Sequence, residues 1–292
     1  MIYLGLRSKA TGWQKSPLGR QPADAVSHRL NSQHIWLLDA MGGSAIEQTI
    51  QPHLPRNAKV LDVGTGTGVW LRELPSQYER SGCDLSSAQF PKASDDITFF
   101  EQNVLEPFDA THQGAYDLVH QRLLCLGLDR STWPTALSNL LTVVKPGGWL
   151  QLLEINVQFR PLPGEEQPPI YKLGNKVMEI VCGLSNREVQ VCEQLKPMLE
   201  HAGFEQVQER FIDCKAGKSA ADERMAEISS TNLQNVFKGI YPGLKSKGAL
   251  GALPEELRDE KAWQDFTDGL KTAMMQHGGQ ARIAVVVGRR PN

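Results

Sequence analysis

Residues 60–71 read VLDVGTGTGVWL, and this stretch constrains the fold of the 292-residue chain more than any other. Val60, Leu61 and Val63 flank Asp62, glycines stand at 64, 66 and 68, and Val69, Trp70 and Leu71 open a helical run. The succession predicts a buried strand, a sharp turn and a helix start. Glycines at such a turn permit positive φ and let a ligand lie against bare main chain. The first N–H groups of the following helix have no partner inside it. These features together make a nucleotide-binding turn.

Two kinds of nucleotide compete for it. A dinucleotide needs GxGxxG or GxGxxA, whose last small residue lets helix and strand pack closely. Counted from Gly64, that register puts Val69 at the small position. The spacing present is GxGxG, with Asp62 two residues upstream. S-adenosylmethionine (SAM) has no pyrophosphate to cradle but carries a cationic ammonium, which an acid at a strand end suits. Asp84, in SGCDL, ends a second strand 20 residues after Gly64. A carboxylate there can accept from both hydroxyls of a ribose; capping the turn at Ser86 and Ser87 is its ordinary alternative. A third strand at 97–100 leads to Asn103 and Val104. That strand end meets the adenine in a SAM site, although Asn103 also suits a plain turn. A fourth strand at 116–120 brings His120, Gln121 and Arg122 to the carboxyl edge of the sheet, facing the reaction space. A helix at 133–144, stopped by Lys145-Pro146-Gly147-Gly148, precedes a fifth strand at 149–155 with Glu154 at its exit.

Composition narrows the class. The formal charge of −2 gives no basis for electrostatic binding of nucleic acid. The apolar fraction of 40% permits a sizeable core. The five cysteines form no CxxC pair, which suggests reduced thiols in a cytoplasmic protein rather than a disulfide frame or zinc site. No stretch approaches the roughly 20 apolar residues of a spanning helix, so no membrane partner is expected. No divalent-metal site is evident, and a homodimer is left open. Residues 1–22, rich in glycine and proline, look irregular. A helix over 24–41, ended by Gly42 and Gly43, and a short second helix over 44–53 follow. Arg29, Asn31, Gln33 and His34 form either a solvated face of the first helix or the underside of a lid.

The motifs VLDVGTGTG, CDLS, QNVLEPF, YDLVHQRLL and KPGGWLQLLE resemble the class I SAM-dependent methyltransferases. RLNSQHIWLL at 29–38, GTGTGVW at 64–70, DLSSAQFP at 84–91 and VHQRLL at 119–124 are similar to a fungal secondary-metabolism (LaeA-like/UMTA-type) subgroup. The resemblance covers residues 28–155, and its motifs are specific for SAM rather than for substrate. It implies an α/β, Rossmann-like seven-stranded sheet of order 3-2-1-4-5-7-6. It also implies an N-terminal helical lid (1–53), a SAM-binding core (54–160), and a third segment (161–292) that completes the sheet. By position it implies Asp62, Gly64 and Gly66 around the methionine moiety, with Thr65 and Gly68 in the same turn. Asp84 and Leu85 fall at the ribose, Gln89 nearby, and Asn103 with Val104 at the adenine. His120 and Arg122 match a recurrent His-x-Arg, and Gln33 of the lid joins the cofactor set. The subgroup's aromatic-acid pair after KPGG is half kept: residues 151–154 read QLLE, with Glu154 but no aromatic.

Helical patterns at 170–182 and 188–202, a sixth strand to 212, and a last strand at 281–288 complete the chain. The helical insertion between the last two strands, about 65 residues and broken at Tyr241-Pro242-Gly243 and 248–254, exceeds an ordinary loop. With the N-terminal helices it is expected to enclose a pocket. Met178, Met198, Met225, Phe237, Tyr241, Met274 and Met275 are candidates for its apolar lining.

The expected activity is methyl transfer from SAM, with S-adenosylhomocysteine as product, to oxygen or nitrogen of a small, mostly apolar natural product. In-line alignment supplies much of the barrier reduction. A base near neutral pKa is expected to deprotonate the acceptor, with His120 first and His34 and Glu154 next. Two alternatives stand beside it: a pericyclase-like enzyme that uses the sulfonium as a fixed charge, and a LaeA-like protein-binding regulator.

Overall fold

The computed structural model describes residues 23–92 and 96–292. The irregular arm expected at 1–22 lies outside the described residues. The centre is a sheet built from β1 (Lys59–Val63), β2 (Glu79–Asp84), β3 (Ile97–Glu101), β4 (Tyr116–Arg122), β5 (Val144–Ile155), β6 (Glu205–Ala216) and β7 (Gly279–Arg289). The spatial order is β3-β2-β1-β4-β5-β7-β6, as the resemblance implied. β1 to β5 are parallel, and β7 enters antiparallel between β5 and β6.

Side chains alternate across a strand, and here the alternation divides two cores. Leu61 and Val63 of β1 and Val119 of β4 enter the larger core; Val60 and Leu118 enter a smaller one with Ile46, Ile50 and Trp70. The same parity puts Asp62, His120 and Gln151 in one polar row, because they are register partners across β1, β4 and β5. The larger core lies against α3 (Trp133–Val143), α4 (Pro169–Leu184), α5 (Leu195–His201), α6 (Glu223–Lys245) and α7 (Glu260–His277). All five cysteines are free and buried. Among the described residues no helix is long and apolar enough to cross a membrane.

The N-terminal helix α1 (Ala23–Ala40) forms as expected. The short helix expected over 44–53 does not: only Gln51–His53 makes a helical turn. Side chains take over its hydrogen bonds. Ser44 Oγ donates to Ile46 O, and Gln51 Nε2 donates to both Ser44 Oγ and Ile46 O, which is how such residues compete with helix formation. The first crossover helix, α2 (Val69–Arg72), stops before Leu74 because Pro75 disfavours helical backbone in the residue ahead of it. The helix expected over 188–202 is shortened to α5, because Val189 O accepts from Val157 N and Asn156 Oδ1 accepts from Cys192 N. Conversely, α6 runs through Pro242 to Lys245 instead of breaking there. Tyr241 packs on Trp263 at 5.6 Å and its hydroxyl donates to Arg258 O, which offsets the backbone bond that proline forfeits.

The glycine turn has no room for side chains. Gly68 has φ of +71°, and a Cβ there would lie 2.6 Å from the Phe99 ring. Left-handed backbone alone costs a non-glycine residue about 1–2 kcal/mol. Gly68→Ala is therefore expected to lower unfolding free energy by at least about 1 kcal/mol in urea titration; an unchanged midpoint would contradict the packing described.

Candidate cofactor and acceptor site

The turn after β1 is tied to β2. Gly64 N and Thr65 N both donate to Cys83 O, at 2.8 and 2.9 Å, and Gly66 N donates to Asp84 Oδ2 at 2.9 Å. The lid helix α1 rests directly on it. A Cβ at Gly66 would meet Leu30 Cδ1 at 3.0 Å, and Thr67 Oγ1 donates to Asn31 Oδ1 at 2.8 Å. Ser27 Oγ donates to Gln89 Oε1 at 3.1 Å, and Trp36 Nε1 donates to Lys215 O at 2.8 Å. The polar face of α1 thus packs over the glycine turn and is not a solvated face.

Lid, turn and strand ends surround one cavity. Gly64, Thr65 and Gly66 form part of its wall, as do Asp84 and Leu85 after β2. Asn103 and Val104 line it after β3, Arg122 after β4, and Gln33 from the lid. Of the other residues singled out in the sequence, Asp62 lies behind the turn and Gly68 against Phe99, while Gln89 serves the lid. The cavity continues past Leu124 and Leu126 to an apolar end made by Phe159, Met178 of α4, and Leu233, Val236 and Phe237 of α6. Of the seven residues expected to line it, only Met178 and Phe237 do. Met198, Met225, Tyr241, Met274 and Met275 lie elsewhere: Met274 sits beneath Tyr171, and Met275 against Ser230.

The three expected bases lie outside this wall. His120, placed at the reaction space from sequence, is buried two residues short of the end of β4, on the same face as Arg122. It stacks on Trp70 at 4.0 Å and takes a hydrogen bond on Nδ1 from Gln151 Nε2 at 3.2 Å. Burial and the Arg122 charge hold its pKa well below the usual range. His34 Nδ1 accepts from Arg122 Nη1 at 2.8 Å, so the ring is neutral, its pKa lowered to about 3 by burial and then by Arg122. Glu154 is fully buried. Its Oε1 accepts from Gln121 Nε2 and Leu124 N at 2.6 and 2.8 Å, and its Oε2 from Cys125 N at 3.1 Å. The carboxylate thereby sets the loop that carries Leu124 to the cavity.

Asn103 Oδ1 accepts from Leu105 N at 3.1 Å, the turn role, which leaves its Nδ2 to face a ligand. Gln151 holds the 45–47 segment: Oε1 accepts from Glu47 N and Nε2 donates to Ala45 O. Sequence reasoning passed over Gln102 as a site residue and offered Arg29 only as one of the polar residues of the first helix; both line the cavity. Burial lowers the Arg29 pKa and no described carboxylate offsets it. The signal available was the helical spacing that puts Arg29 and Gln33 one turn apart on one face.

A parallel α/β sheet with an antiparallel β7, a glycine turn and an acid closing the neighbouring strand define a class I methyltransferase fold. The comparisons agree. A family model described as a methyltransferase domain matches residues 43–209. The N-methyltransferase sirN of Leptosphaeria maculans is 30% identical over 276 residues, covering 92% of this chain and 93% of that protein. The methyltransferase psoC of Aspergillus fumigatus is 29% identical over 286 residues, covering 94% and 96%. Among solved structures, the YcgJ protein of Bacillus subtilis superposes with a TM-score of 0.52 at 13% identity, covering 87% of this chain and 99% of that one, which speaks to fold alone. The chain belongs to the methyltransferase-domain family, and its cofactor is SAM. The residues present fit it: Asp84 has an oxygen beyond the one given to Gly66, and two arginines stand in the wall for a carboxylate.

Burial pushes the Asp62 carboxyl up to about 7 from its ordinary 3.8, against the pull of Arg122 towards ionisation. Between about pH 4 and 7 the folded state then keeps a proton that the unfolded chain releases, so stability falls as pH rises. Glu154, also pushed up to about 7 by burial, contributes in the same direction. Asp62→Asn is expected to make the decline in unfolding free energy over that range shallower, as read by urea titration at several pH values. Glu154→Gln is expected to cost about 1–3 kcal/mol, because an amide N–H would oppose one of the backbone donors it now accepts from. A neutral outcome in the same titration would refute the clamp.

Proposed function

We propose that this methyltransferase transfers a methyl group from SAM to nitrogen or oxygen of a small, largely apolar natural product. The observation that carries the reading is the continuity of one cavity from the glycine turn to the apolar wall of α4 and α6. Such a wall suits a small organic acceptor, and the relative that is itself an N-methyltransferase supports nitrogen among the acceptor atoms.

When bound, SAM supplies an electrophilic methyl whose leaving group is a neutral thioether. Asp84 accepts from the ribose hydroxyls with the oxygen that Gly66 leaves over, and the Asn103 carboxamide and Val104 meet the adenine. Arg29 and Arg122 would receive the methionine carboxylate, with Gln33 beside them in the wall. Asp62 acts from behind the turn, favouring the ammonium through its charge. His34 holds the Arg122 guanidinium, His120 and Gln151 hold the 45–47 segment, and Glu154 holds the 122–128 loop, each as a positioning residue. The lid and the α4–α6 wall align the acceptor and keep water from it, which is where the rate gain arises.

Asp84→Asn is a clean test, because the Asn oxygen can still accept from Gly66 N while its amide cannot accept from a ribose. Losing hydrogen bonds to a charged group, at about 1.5–3 kcal/mol, predicts S-adenosylhomocysteine binding roughly 10- to 150-fold weaker by calorimetry. Labelled methyl from SAM should appear in a low-molecular-mass product. If the wild-type protein binds S-adenosylhomocysteine but passes no label to any small acceptor, the methyl-transfer reading is wrong.

A further inference from the structure

At the apolar end of the cavity one polar atom has no partner. Asn232, on α6, is 4% exposed and lines the cavity between hydrophobic neighbours Leu233, Val236 and Phe237. Its Nδ2 donates to Ile228 O, one turn back, at 2.9 Å. Its Oδ1 is buried and has no hydrogen-bond partner among the described residues. The bond to Ile228 O also determines which amide atom faces which way. A flipped amide would set Oδ1 against the Ile228 carbonyl, two acceptors in contact, so the oxygen is the atom turned away from the helix.

A buried acceptor without a donor costs about 1–3 kcal/mol. Leucine or methionine at this position would fill the same space without that cost, as the neighbouring residues do. A helix wall that is otherwise apolar here carries a single acceptor.

We propose that Asn232 Oδ1 receives an N–H or O–H of the acceptor substrate, making Asn232 a specificity residue for molecules that combine an apolar ring system with one hydrogen-bond donor. The proposal rests on the small-molecule reading above and deepens it. The bond orients the acceptor within the apolar wall, and it discriminates against analogues whose donor is already alkylated. A site built to satisfy a donor rejects the analogue that lacks it, because the buried acceptor is then left unpaired.

The test uses the full chain loaded with S-adenosylhomocysteine, with indole and N-methylindole as probes that differ in a single donor. Ligand-observed NMR or calorimetry is expected to give a preference for indole of roughly tenfold or more in the wild type. In Asn232→Leu the preference is expected to fall to about twofold or less while S-adenosylhomocysteine affinity is unchanged. Equal affinities for the two probes in the wild type, or no uptake of indole by protein that binds S-adenosylhomocysteine, would overturn the proposal and leave the cofactor site standing. Failure to bind S-adenosylhomocysteine would instead strike the reading beneath it. Should Asn232→Leu fail to fold, the wild-type comparison decides the matter by itself.

Discussion

The contact of helix α1 with a main chain that carries no side chains is what the cavity depends on. Leu30 approaches Gly66 so closely that a Cβ would be at 3.0 Å, and Asn31 takes the hydroxyl proton of Thr67. Beneath, the same turn is sewn to β2 through Cys83 O and Asp84. The turn is therefore gripped on both sides by groups that reach its backbone. At the far end of the lid, Trp36 bonds to the main chain of β6, so a helix at the start of the described chain is fastened to the last part of the sheet. The cavity is the space these fastenings leave.

Much of the buried polarity near this space is scaffold. Three N–H groups converge on Glu154, two of them from the loop that turns towards the cavity. Gln151 spends its whole carboxamide on Glu47, Ala45 and His120. His34 offers its lone pair to a guanidinium rather than to a proton in transit. Buried polar groups of this kind brace the fold through the bonds they make, which offset the cost of taking them into a low-dielectric interior. Asn232 Oδ1, one of several buried atoms without a hydrogen-bond partner among the described residues, differs in belonging to the apolar end of the cavity wall. Where the sequence offered three titratable residues, two near strand ends and one on the first helix, the fold uses them to hold loops and an arginine.

Strands such as β1 (KVLDV) and the IAVVV stretch of β7 were legible as apolar runs, and the turn chemistry at residues 64–68 is local. Asp84 and Asn103 were legible as residues at strand ends, although Asn103 spends its oxygen on the turn that was its ordinary alternative. His120 was misplaced in depth along β4. It shares a face with Arg122, which reaches the cavity, but lies two residues short of the strand end, and the register with Asp62 and Gln151 puts it beside Trp70. The extent of α6 and the loss of a helix at 44–53 were illegible for a related reason. Proline and serine are weighed locally in a sequence, but Tyr241 against Trp263 and Gln151 against Ala45 are contacts between distant segments.

The sequence by itself determined the individual strands, the glycine turn and the acid beside it, because period and backbone chemistry act within a dozen residues; the order of the sheet came through the family resemblance of its motifs. Only the tertiary structure decided which polar groups reach the cavity and which brace it. Those outcomes turn on pairs such as Trp36 with Lys215, 179 residues apart, and Glu47 with Gln151, 104 apart, whose meeting no local pattern encodes.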